Sequence, residues 1–294
     1  MYLTIWIFLT AMILNSNNPE NKEIHFGLFA DCQYCDCNAS GTRFYRNSLQ
    51  KLGEAIDTFN KVKSLRFIAG LGDLIDRDMG SYGQLNPVLG KSAKKIVHVT
   101  GNHDFGVNPG ELRKVPEKLG LKNTYHDRTI GDWCFIFLDG NEVTLNSENP
   151  GIVATAKELL GKLKSENKPN AYEWNGAISE TQVKWLEDKL VKAEKKNKKV
   201  IIFCHYPLLP FEAHALWNSD RVIGILEKHK CVKAYFNGHN HAGNYVMKNG
   251  IHYITFRGMV ETENKNAFAL VTLKSSQIII RGSGREQSRT LITR

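Results

Sequence analysis

Short apolar runs alternate with stretches of helical periodicity through the first two thirds of the chain. The stretch 44–61 repeats large apolar residues every three or four positions, which predicts an amphipathic helix after the apolar run 25–30. Another helix is predicted to begin after Ser179, a good N-cap with Gln182 three residues later. By the same criteria the sequence predicts further strands over 66–71, 95–99, 133–138, 200–204 and 233–236, and further helices over 111–119, 151–165 and 215–228.

The last part of the chain consists of short apolar segments separated by turn residues. Asn249-Gly250 lies between the segments 244–247 and 252–256, which is a strong signal for a β-hairpin. The segments 267–273 and 277–281 are predicted to pair in the same way. Alternating strands and helices followed by antiparallel strands predict two packed sheets covered by helices.

The first 20 residues differ from the rest of the chain. Residues 2–14 are mostly apolar, and a polar stretch follows them. This run is too short for a comfortable transmembrane span but fits the apolar region of a secretory signal, although no Lys or Arg precedes it. We therefore predict a signal peptide over 1–20, no stable membrane span, and a periplasmic or extracellular location in preference to the cytoplasm. Residues 21–294 contain no repeat or linker and are predicted to form one catalytic domain.

Composition and charge narrow the class of partner. The 294 residues are 42% hydrophobic and 23% charged, as expected for a folded protein rather than a disordered one. The formal net charge of +9 suits acidic partners, and phosphate-bearing substrates are among them. The lysine-rich run 195–199 lies at the end of a predicted helix, where cations suit the helix dipole. No aromatic residues are interleaved with basic ones along a face, so a nucleic-acid partner is not expected.

The cysteines do not determine the compartment. Their spacing is not that of a disulfide framework, and the three that share one loop lack an obvious fourth ligand for a structural zinc. An occasional disulfide is a further alternative, while loop or core thiols are the favoured interpretation. The six are Cys32, Cys35, Cys37, Cys134, Cys204 and Cys231.

Five short polar segments each begin where a predicted strand ends. Loops at the carboxyl ends of neighbouring strands converge in space, so these segments can share one site. Taken singly, each would suit a turn or a helix cap. Taken together and in this order, they predict a metal centre. The segments are 31–33, 72–77, 101–104, 205–207 and 238–241, and the candidate ligands are Asp31, Gln33, Asp73, Asn102, His205, His239 and His241.

The types of donor indicate the type of metal. Oxygen donors with imidazoles suit manganese, iron or zinc better than a thiolate site would. Two metals require a shared ligand, and Asp73 is the natural bridge because it lies centrally in the set. Two divalent ions against Asp31 and Asp73 would leave an excess of about two positive charges, which can hold a phosphate or diphosphate. A water between the two ions, deprotonated to hydroxide, is the expected nucleophile.

His103 adjoins a candidate ligand but is expected to point across the site. We interpret it as the acid that protonates the leaving oxygen, or as a donor that stabilises the phosphoryl charge. Asp76 would orient His103 and support its charged form.

These segments together resemble the calcineurin-like metallophosphoesterase superfamily over the whole predicted domain. Within it, the chain is most similar to the manganese-dependent ADP-ribose/CDP-alcohol diphosphatases. The stretches 26–34, 43–49, 175–179 and 258–262 carry this closer resemblance. The resemblance implies an α/β fold: a four-layer α/β/β/α sandwich with two mixed sheets flanked by helices and a dimetal site at their edge.

The resemblance also implies how the candidate ligands divide between two metals. One metal would be held by Asp31, Gln33, Asp73 and His241, and the other by Asp73, Asn102, His205 and His239. Most of the superfamily has histidine at the position of Gln33. A neutral amide oxygen is a harder ligand, which fits a preference for Mn²⁺ over Fe, Zn or Mg.

The implied activity is hydrolysis of the phosphoanhydride bond in a nucleoside-diphosphate-linked small molecule, such as ADP-ribose or a CDP-alcohol, releasing a nucleoside monophosphate. Arg43, Tyr45 and Arg46 are candidate substrate-binding residues, although an inward-packed tyrosine and surface arginines are the favoured alternative. No role beyond structure is predicted for the histidines and tryptophans outside the motifs. They are His98, His126, His214, His252, Trp133, Trp174, Trp185 and Trp217.

Two other functions are consistent with parts of the pattern. A phosphomonoesterase or a cyclic-nucleotide phosphodiesterase could use the same dimetal site. Asp76, where purple acid phosphatases have tyrosine, argues against that class. A metal-free binding scaffold would be expected to have lost ligands, whereas this chain keeps every candidate.

Overall fold

The computed structural model describes residues 23–293, which contain two six-stranded sheets and six α-helices. The strands are β1 (Ile24–Phe29), β2 (Leu65–Gly70), β3 (Ile96–His98), β4 (His126–Ile130), β5 (Trp133–Phe137), β6 (Lys199–Phe203), β7 (Val232–Asn237), β8 (Asn244–Lys248), β9 (Ile251–Thr255), β10 (Ala267–Leu273), β11 (Gln277–Gly284) and β12 (Arg289–Ile292). The helices are α1 (Asn47–Asn60), α2 (Ser81–Leu89), α3 (Val115–Lys118), α4 (Pro150–Ser165), α5 (Glu180–Lys195) and α6 (Ser219–Leu226).

Both sheets are mixed, as the resemblance implied. The first has the strand order β12-β11-β10-β1-β2-β3, with β1, β2 and β3 parallel and the remaining pairs antiparallel. The second has the order β4-β5-β6-β7-β9-β8, in which β5, β6, β7 and β9 run parallel. The predicted hairpin is confirmed: Asn249 and Gly250 connect β8 to β9 with φ values of 51° and 80°, which suit a tight turn between twisted strands.

The two sheets pack face to face and helices cover both outer faces. Apolar side chains of the two sheets meet in one core, in which the rings of Phe26 and Phe67 stack at 4.9 Å and Phe203 contacts Phe26 edge-on at 5.9 Å. Helices α1 and α2 pack on the outer face of the first sheet, and α5 and α6 pack on that of the second. The expected four-layer α/β/β/α sandwich is therefore confirmed.

Close packing of α1 depends on one glycine in β1. A Cβ atom at Gly27 would lie 2.8 Å from the ring of Phe59, which α1 places against the sheet. Any larger residue would push the helix away from the strand that leads into the candidate site.

The helix predictions hold except at their ends. Ser179 caps α5 by accepting a hydrogen bond from the Gln182 backbone N–H, as predicted. The helix predicted over 111–119 is reduced to a 3₁₀ turn and the short α3, because Pro116 has no N–H to continue a helix. The predicted helix 215–228 begins only at Ser219, since the backbone N–H groups of Leu216 and Trp217 instead bind carbonyls of other loops.

Among residues 23–293, no helix is both long enough and apolar enough to cross a membrane. The segment 1–20 lies outside the described residues, so the signal peptide and export stay predictions, as does the single-domain interpretation of residues 21–294.

Candidate metal centre

The candidate ligands lie where parallel strands of both sheets end. Asp31, Asp73 and Asn102 follow β1, β2 and β3 of the first sheet. In the second sheet His205 follows β6, and His239 and His241 follow β7. The two sheets are packed against each other, so their carboxyl ends present these loops to one another. All seven predicted donors, Gln33 included, are brought into one continuous cluster.

Asp73 occupies the centre of this cluster. Its Oδ2 lies 3.0 Å from Gln33 Nε2 and 3.3 Å from His205 Nε2, so one carboxylate contacts both groups of donors. Its Oδ1 accepts a hydrogen bond of 2.8 Å from the His103 backbone N–H. This position is the one expected of a bridging ligand.

On one side of Asp73 stand two imidazoles and an amide. His205 Nε2 lies 3.1 Å from both Asn102 Oδ1 and His239 Nδ1. The donor atoms of Asp73, His205 and His239 all lie within 4.8 Å of one another, and all three residues are buried. This spacing can accommodate a metal ion.

On the other side of Asp73 lie Asp31, Gln33 and His241. His241 Nε2 is 3.4 Å from Asp31 Oδ1 and 3.2 Å from Gln33 Nε2. Gln33 Oε1 is buried without a hydrogen-bond partner. A buried amide oxygen that lacks a donor is costly, and a cation at this position would satisfy it.

The outer nitrogen of each imidazole is held by an acceptor. His205 Nδ1 lies 2.8 Å from the carbonyl oxygen of Leu71, and His241 Nδ1 lies 2.8 Å from Glu261 Oε1. His239 Nε2 lies 2.9 Å from Asn175 Oδ1. Because acceptors take the N–H of each ring, the inner nitrogens of neutral rings present lone pairs to the cluster, as metal ligands do.

Asn175 has only one orientation available at His239. Its Nδ2 donates to the carbonyl oxygens of Asn170 (3.0 Å) and Ala213 (2.7 Å), which leaves Oδ1 for the imidazole. Asn175 and Glu261 both lie in stretches that resemble the diphosphatases, but no role was predicted for either. Their contacts with His239 and His241 are apparent only in the structure.

The electrostatics of the cluster favour positive charge. Burial alone would lower the pKa of His205, yet Asp73 raises it to about 9. Burial also opposes protonation of His241, but Asp31 and then Glu261 raise its pKa to about 9. His239 differs: burial and the adjacent His205 hold its pKa well below the usual range. Buried carboxylates that stabilise added cationic charge so strongly fit divalent metals.

The backbone of the candidate ligands is strained. Four of them have positive φ values, in the left-handed region that residues other than glycine rarely adopt. They are Asp31 (50°), Gln33 (44°), Asp73 (53°) and His239 (69°). Each such residue costs about 1–3 kcal/mol, and such strain concentrates at functional sites. Four of the seven predicted ligands share this conformation, which turn residues such as Asn249 also adopt.

Glycines allow the loops to approach so closely. A Cβ atom at Gly101 would lie 2.1 Å from Asp73 Oδ1, and one at Gly238 would lie 2.5 Å from Asp31 Oδ2. The glycine that precedes Asn102 and the one that precedes His239 therefore make room for a carboxylate.

Asp104 fixes two of the loops, a role that the sequence analysis did not assign. Its buried carboxylate accepts hydrogen bonds from the backbone N–H groups of Asp73 (3.0 Å), Leu74 (2.9 Å), Ile75 (3.3 Å) and Gly101 (2.9 Å). It thus joins the loop after β2 to the loop after β3.

His103 and Asp76 form the expected pair. His103 Nδ1 lies 3.0 Å from Asp76 Oδ1, and the imidazole is partly exposed at the site while Asp76 is buried. Burial disfavours the charged imidazole, but Asp73 and Asp76 outweigh it and raise the pKa of His103 above its ordinary value. The pair can therefore hold a proton at the mouth of the cluster.

A cavity of about 410 Å³ opens onto the cluster. Beyond the donors it is lined by Arg43, His103, Trp174 and His214. Trp174 is 42% exposed, and the ring of Tyr172 stacks on it at 4.1 Å. Trp174 and His214, for which only structural roles were predicted, both line this cavity because chain folding brings them from distant loops to the site.

Only one of the three candidate substrate-binding residues lines this cavity. Arg43 does so. Tyr45 is buried against Cys35 and Val260, beneath the guanidinium of Arg77. Arg46 is on the surface, where it pairs with Asp36 and donates to Asn38 Oδ1 at 2.8 Å. These two positions agree with the alternative favoured from the sequence.

The loop cysteines also depart from the favoured interpretation. Cys35 and Cys37 form a disulfide, whereas Cys32, Cys134, Cys204 and Cys231 are free and buried. The loop brings the sulfur atoms of Cys35 and Cys37 together, whereas the spacing of the cysteines in the sequence had left this pairing open.

Replacing Asn175 with alanine should weaken manganese binding about 10- to 100-fold, as loss of a group that orients a metal ligand typically does. Asn175→Asp keeps an acceptor for His239 and should retain more affinity than alanine. Titration of metal-stripped protein with Mn²⁺ measures both, with the exposed Asn108→Ala as control. Wild-type affinity in a folded Asn175→Ala protein would contradict the role inferred for this side chain.

Comparisons with known proteins agree with this geometry. Residues 24–243 match the model of the calcineurin-like phosphoesterase family. The manganese-dependent ADP-ribose/CDP-alcohol diphosphatase of Xenopus laevis is 30% identical over 95% of this chain and 93% of its own length. The enzyme of the same name from Arabidopsis thaliana is 29% identical, over 90% of this chain and 95% of its own.

A solved structure supports the fold. A dimetal phosphatase from Danio rerio superposes with a TM-score of 0.82 at 24% identity, covering 92% of this chain and 99% of that one. Similarity of this extent shows that the two proteins share a fold.

Proposed function

The chain belongs to the calcineurin-like phosphoesterase family, and on that premise we propose that it is a manganese-dependent hydrolase of nucleoside-diphosphate-linked small molecules. It cleaves the phosphoanhydride bond of ADP-ribose or a CDP-alcohol and releases a nucleoside monophosphate. One observation carries the hydrolase assignment: three imidazoles, each anchored through its outer nitrogen, point their inner nitrogens into one cluster that contains two buried carboxylates.

The donor set fits two divalent metals that share Asp73. Asp31, Gln33, Asp73 and His241 would hold one ion, and Asp73, Asn102, His205 and His239 the other. Bound there, the ions would supply Lewis acidity toward a phosphoryl oxygen and an activated water. Oxygen and imidazole donors without a thiolate suit manganese, iron or zinc, and the neutral amide oxygen of Gln33 favours manganese among them, in agreement with the names of the relatives.

The side chains around the cluster supply the remaining chemistry. His103 donates a proton to the leaving oxygen or a hydrogen bond to the phosphoryl group, and Asp76 holds its ring in place. Arg43 offers a guanidinium to the phosphate oxygens in the same cavity. Asp104 and Asn175 act through other residues, since they hold the loop after β2 and His239, respectively.

Two observations support a nucleotide substrate over a simple phosphomonoester. The relatives are named for ADP-ribose and CDP-alcohols. In this chain, the exposed Trp174 ring lines the same cavity as the donors, and an aromatic face there can stack on a nucleobase.

The test is hydrolysis of a substrate panel by metal-stripped protein after restoring manganese, magnesium or zinc in turn. The panel contains ADP-ribose, CDP-choline, a cyclic nucleotide and p-nitrophenyl phosphate. We expect manganese-dependent release of AMP or CMP. Turnover confined to the monoester or the cyclic nucleotide would replace the substrate assignment, and no turnover with any metal would favour a binding scaffold.

Replacing Trp174 with alanine should raise KM for ADP-ribose about 5- to 100-fold, the range expected when a base loses an aromatic stacking partner. The kcat value should change little, because the donors and His103 are untouched. Steady-state kinetics measure both constants, with Tyr245→Ala, an exposed tyrosine on β8, as the matched control. An unchanged KM would exclude Trp174 as the base platform.

A further inference from the structure

A second cavity, of about 310 Å³, adjoins the donor cluster. It shares Arg43, His214, His239 and His241 with the first cavity, so the two are continuous around these side chains. Its own lining differs in chemistry. Where the first cavity has Trp174 and His103, the second has Thr42, Asn240, Ala242, Glu261 and Arg285.

Positive charge exceeds negative charge in this second cavity. Two guanidinium groups, those of Arg43 and Arg285, line it, and among its lining residues only Glu261 carries a carboxylate. That carboxylate already binds His241 Nδ1 at 2.8 Å and lies 3.9 Å from Arg43 Nε. Glu261 therefore already has two partners, and neither is Arg285.

Arg285 has no counter-ion of its own. Within residues 23–293 it forms no ion pair; its Nη2 donates to the Gly258 carbonyl oxygen, and its Nε is buried without an acceptor. Several other arginines have carboxylate partners, as Arg289 does with Glu286 at 3.3 Å and Arg77 with Asp76 at 2.6 Å, but the exposed Arg66 and Arg281 have none among the described residues. A half-buried guanidinium without an anion is unfavourable unless a ligand supplies one.

A third cation adds to the imbalance. Lys51 is buried, and its Nζ donates only to the backbone oxygens of Glu261 and Thr262. Burial lowers the pKa of Lys51 to about 8, and the positive charge of Arg285 contributes to that value. The carboxylates of this wall already have other partners within the described residues: Glu54 on α1 binds Asn266, and Glu286 in the turn after β11 binds Arg289.

We propose that Arg285, together with Arg43, binds the second phosphate of a diphosphate substrate, the one that departs with the leaving group. This proposal rests on the proposed function. Arg43 lines both cavities, so a phosphate between the two guanidinium groups would adjoin a phosphoryl group at the donor cluster. Guanidinium groups bind phosphate oxygens in a bidentate manner, and this gives the site preference for diphosphates over monoesters.

The experiment compares substrates with two phosphates and with one. Manganese-loaded full-length Arg285→Gln and Arg285→Lys proteins are assayed with ADP-ribose and with p-nitrophenyl phosphate. We expect KM for ADP-ribose to rise at least about 10-fold in Arg285→Gln, with a smaller rise in Arg285→Lys, which keeps the charge. The constants for p-nitrophenyl phosphate should change less than about twofold, because that substrate has no second phosphate. Arg281→Gln removes an exposed arginine from β11, the strand that precedes Arg285, and should change neither.

A second readout separates this proposal from the proposed function. With p-nitrophenyl phosphate as reporter, Arg285→Gln should weaken competitive inhibition by ADP at least about 10-fold and inhibition by AMP less than about twofold. This comparison holds even if the wild-type protein does not hydrolyse ADP-ribose, an outcome that would refute the proposed function alone. Equal changes for ADP and AMP, or no change for either in a protein with wild-type thermal stability, would overturn the role of Arg285.

Discussion

Turnover of ADP-ribose by the Asp73→Asn protein is expected to fall at least about 1000-fold, because one substitution removes the anionic donor that both halves of the metal site share. Asp73 Oδ2 lies 3.0 Å from Gln33 Nε2 and 3.3 Å from His205 Nε2, so no other donor can replace it. Asparagine has nearly the same shape and can still accept the hydrogen bond from the His103 backbone N–H. The loss should therefore be one of charge rather than of fold.

Metal content distinguishes this explanation from general damage. Asp73→Asn should retain less manganese than the wild type after gel filtration, as measured by elemental analysis, while its thermal unfolding stays cooperative. Asp57→Asn, on the exposed side of α1, makes the same chemical change away from the site and should behave as wild type. Asn102→Ala should likewise lose turnover and metal together. Full activity of either site variant would refute the proposed centre.

Replacing His103 with alanine is expected to reduce kcat about 100- to 10,000-fold, the contribution typical of general acid catalysis, while manganese content is retained. His103 contacts the cluster through its backbone N–H, which alanine keeps, and its ring pairs with Asp76 rather than with a candidate ligand. The His103→Ala protein should therefore lose activity but keep its metal, whereas Asp73→Asn should lose both.

The leaving group tests which role His103 has. The p-nitrophenolate leaving group of p-nitrophenyl phosphate does not need to be protonated. If His103 is the acid, His103→Ala should therefore reduce turnover of this ester far less than turnover of ADP-ribose. Equal losses for both substrates would assign His103 to stabilising the phosphoryl charge instead. Wild-type kcat for ADP-ribose in His103→Ala would exclude both roles.

The candidate donors were predictable because their signal is local. Each follows an apolar run, and the carboxyl ends of parallel strands meet at one edge of a sheet. Asp73 could be chosen as the central donor from its place in the set alone, and the structure puts it there. Their roles as metal ligands stay predictions that the experiments above address.

Residues that act on the donors from a distance were not predictable. Asn175 holds His239, which is 64 residues later, and Asp104 binds the backbone at Asp73, which is 31 residues earlier. An asparagine or aspartate in a loop has the same local appearance whether it caps a turn or positions a ligand. Only the three-dimensional arrangement separates these cases.

The residues that line the substrate cavity were predicted least well from the sequence. Arg43, Tyr45 and Arg46 are neighbours in the sequence, yet only Arg43 lines the cavity. Trp174 and His214 belong to loops without a motif, and chain folding brings them to the donors. Part of the cavity lining therefore comes from segments that contain no recognisable motif.

By itself, the sequence determined the alternation of strands and helices, the hairpin at Asn249-Gly250 and the choice of candidate donors, because periodicity, turn chemistry and residue type are properties of short segments. The tertiary structure alone decided which loop supplies each wall of the site, which acceptor fixes each imidazole, and where Arg285 is left without a counter-ion. The physical reason is that these features depend on distances between side chains far apart in the chain, and those distances exist only once the two sheets have packed.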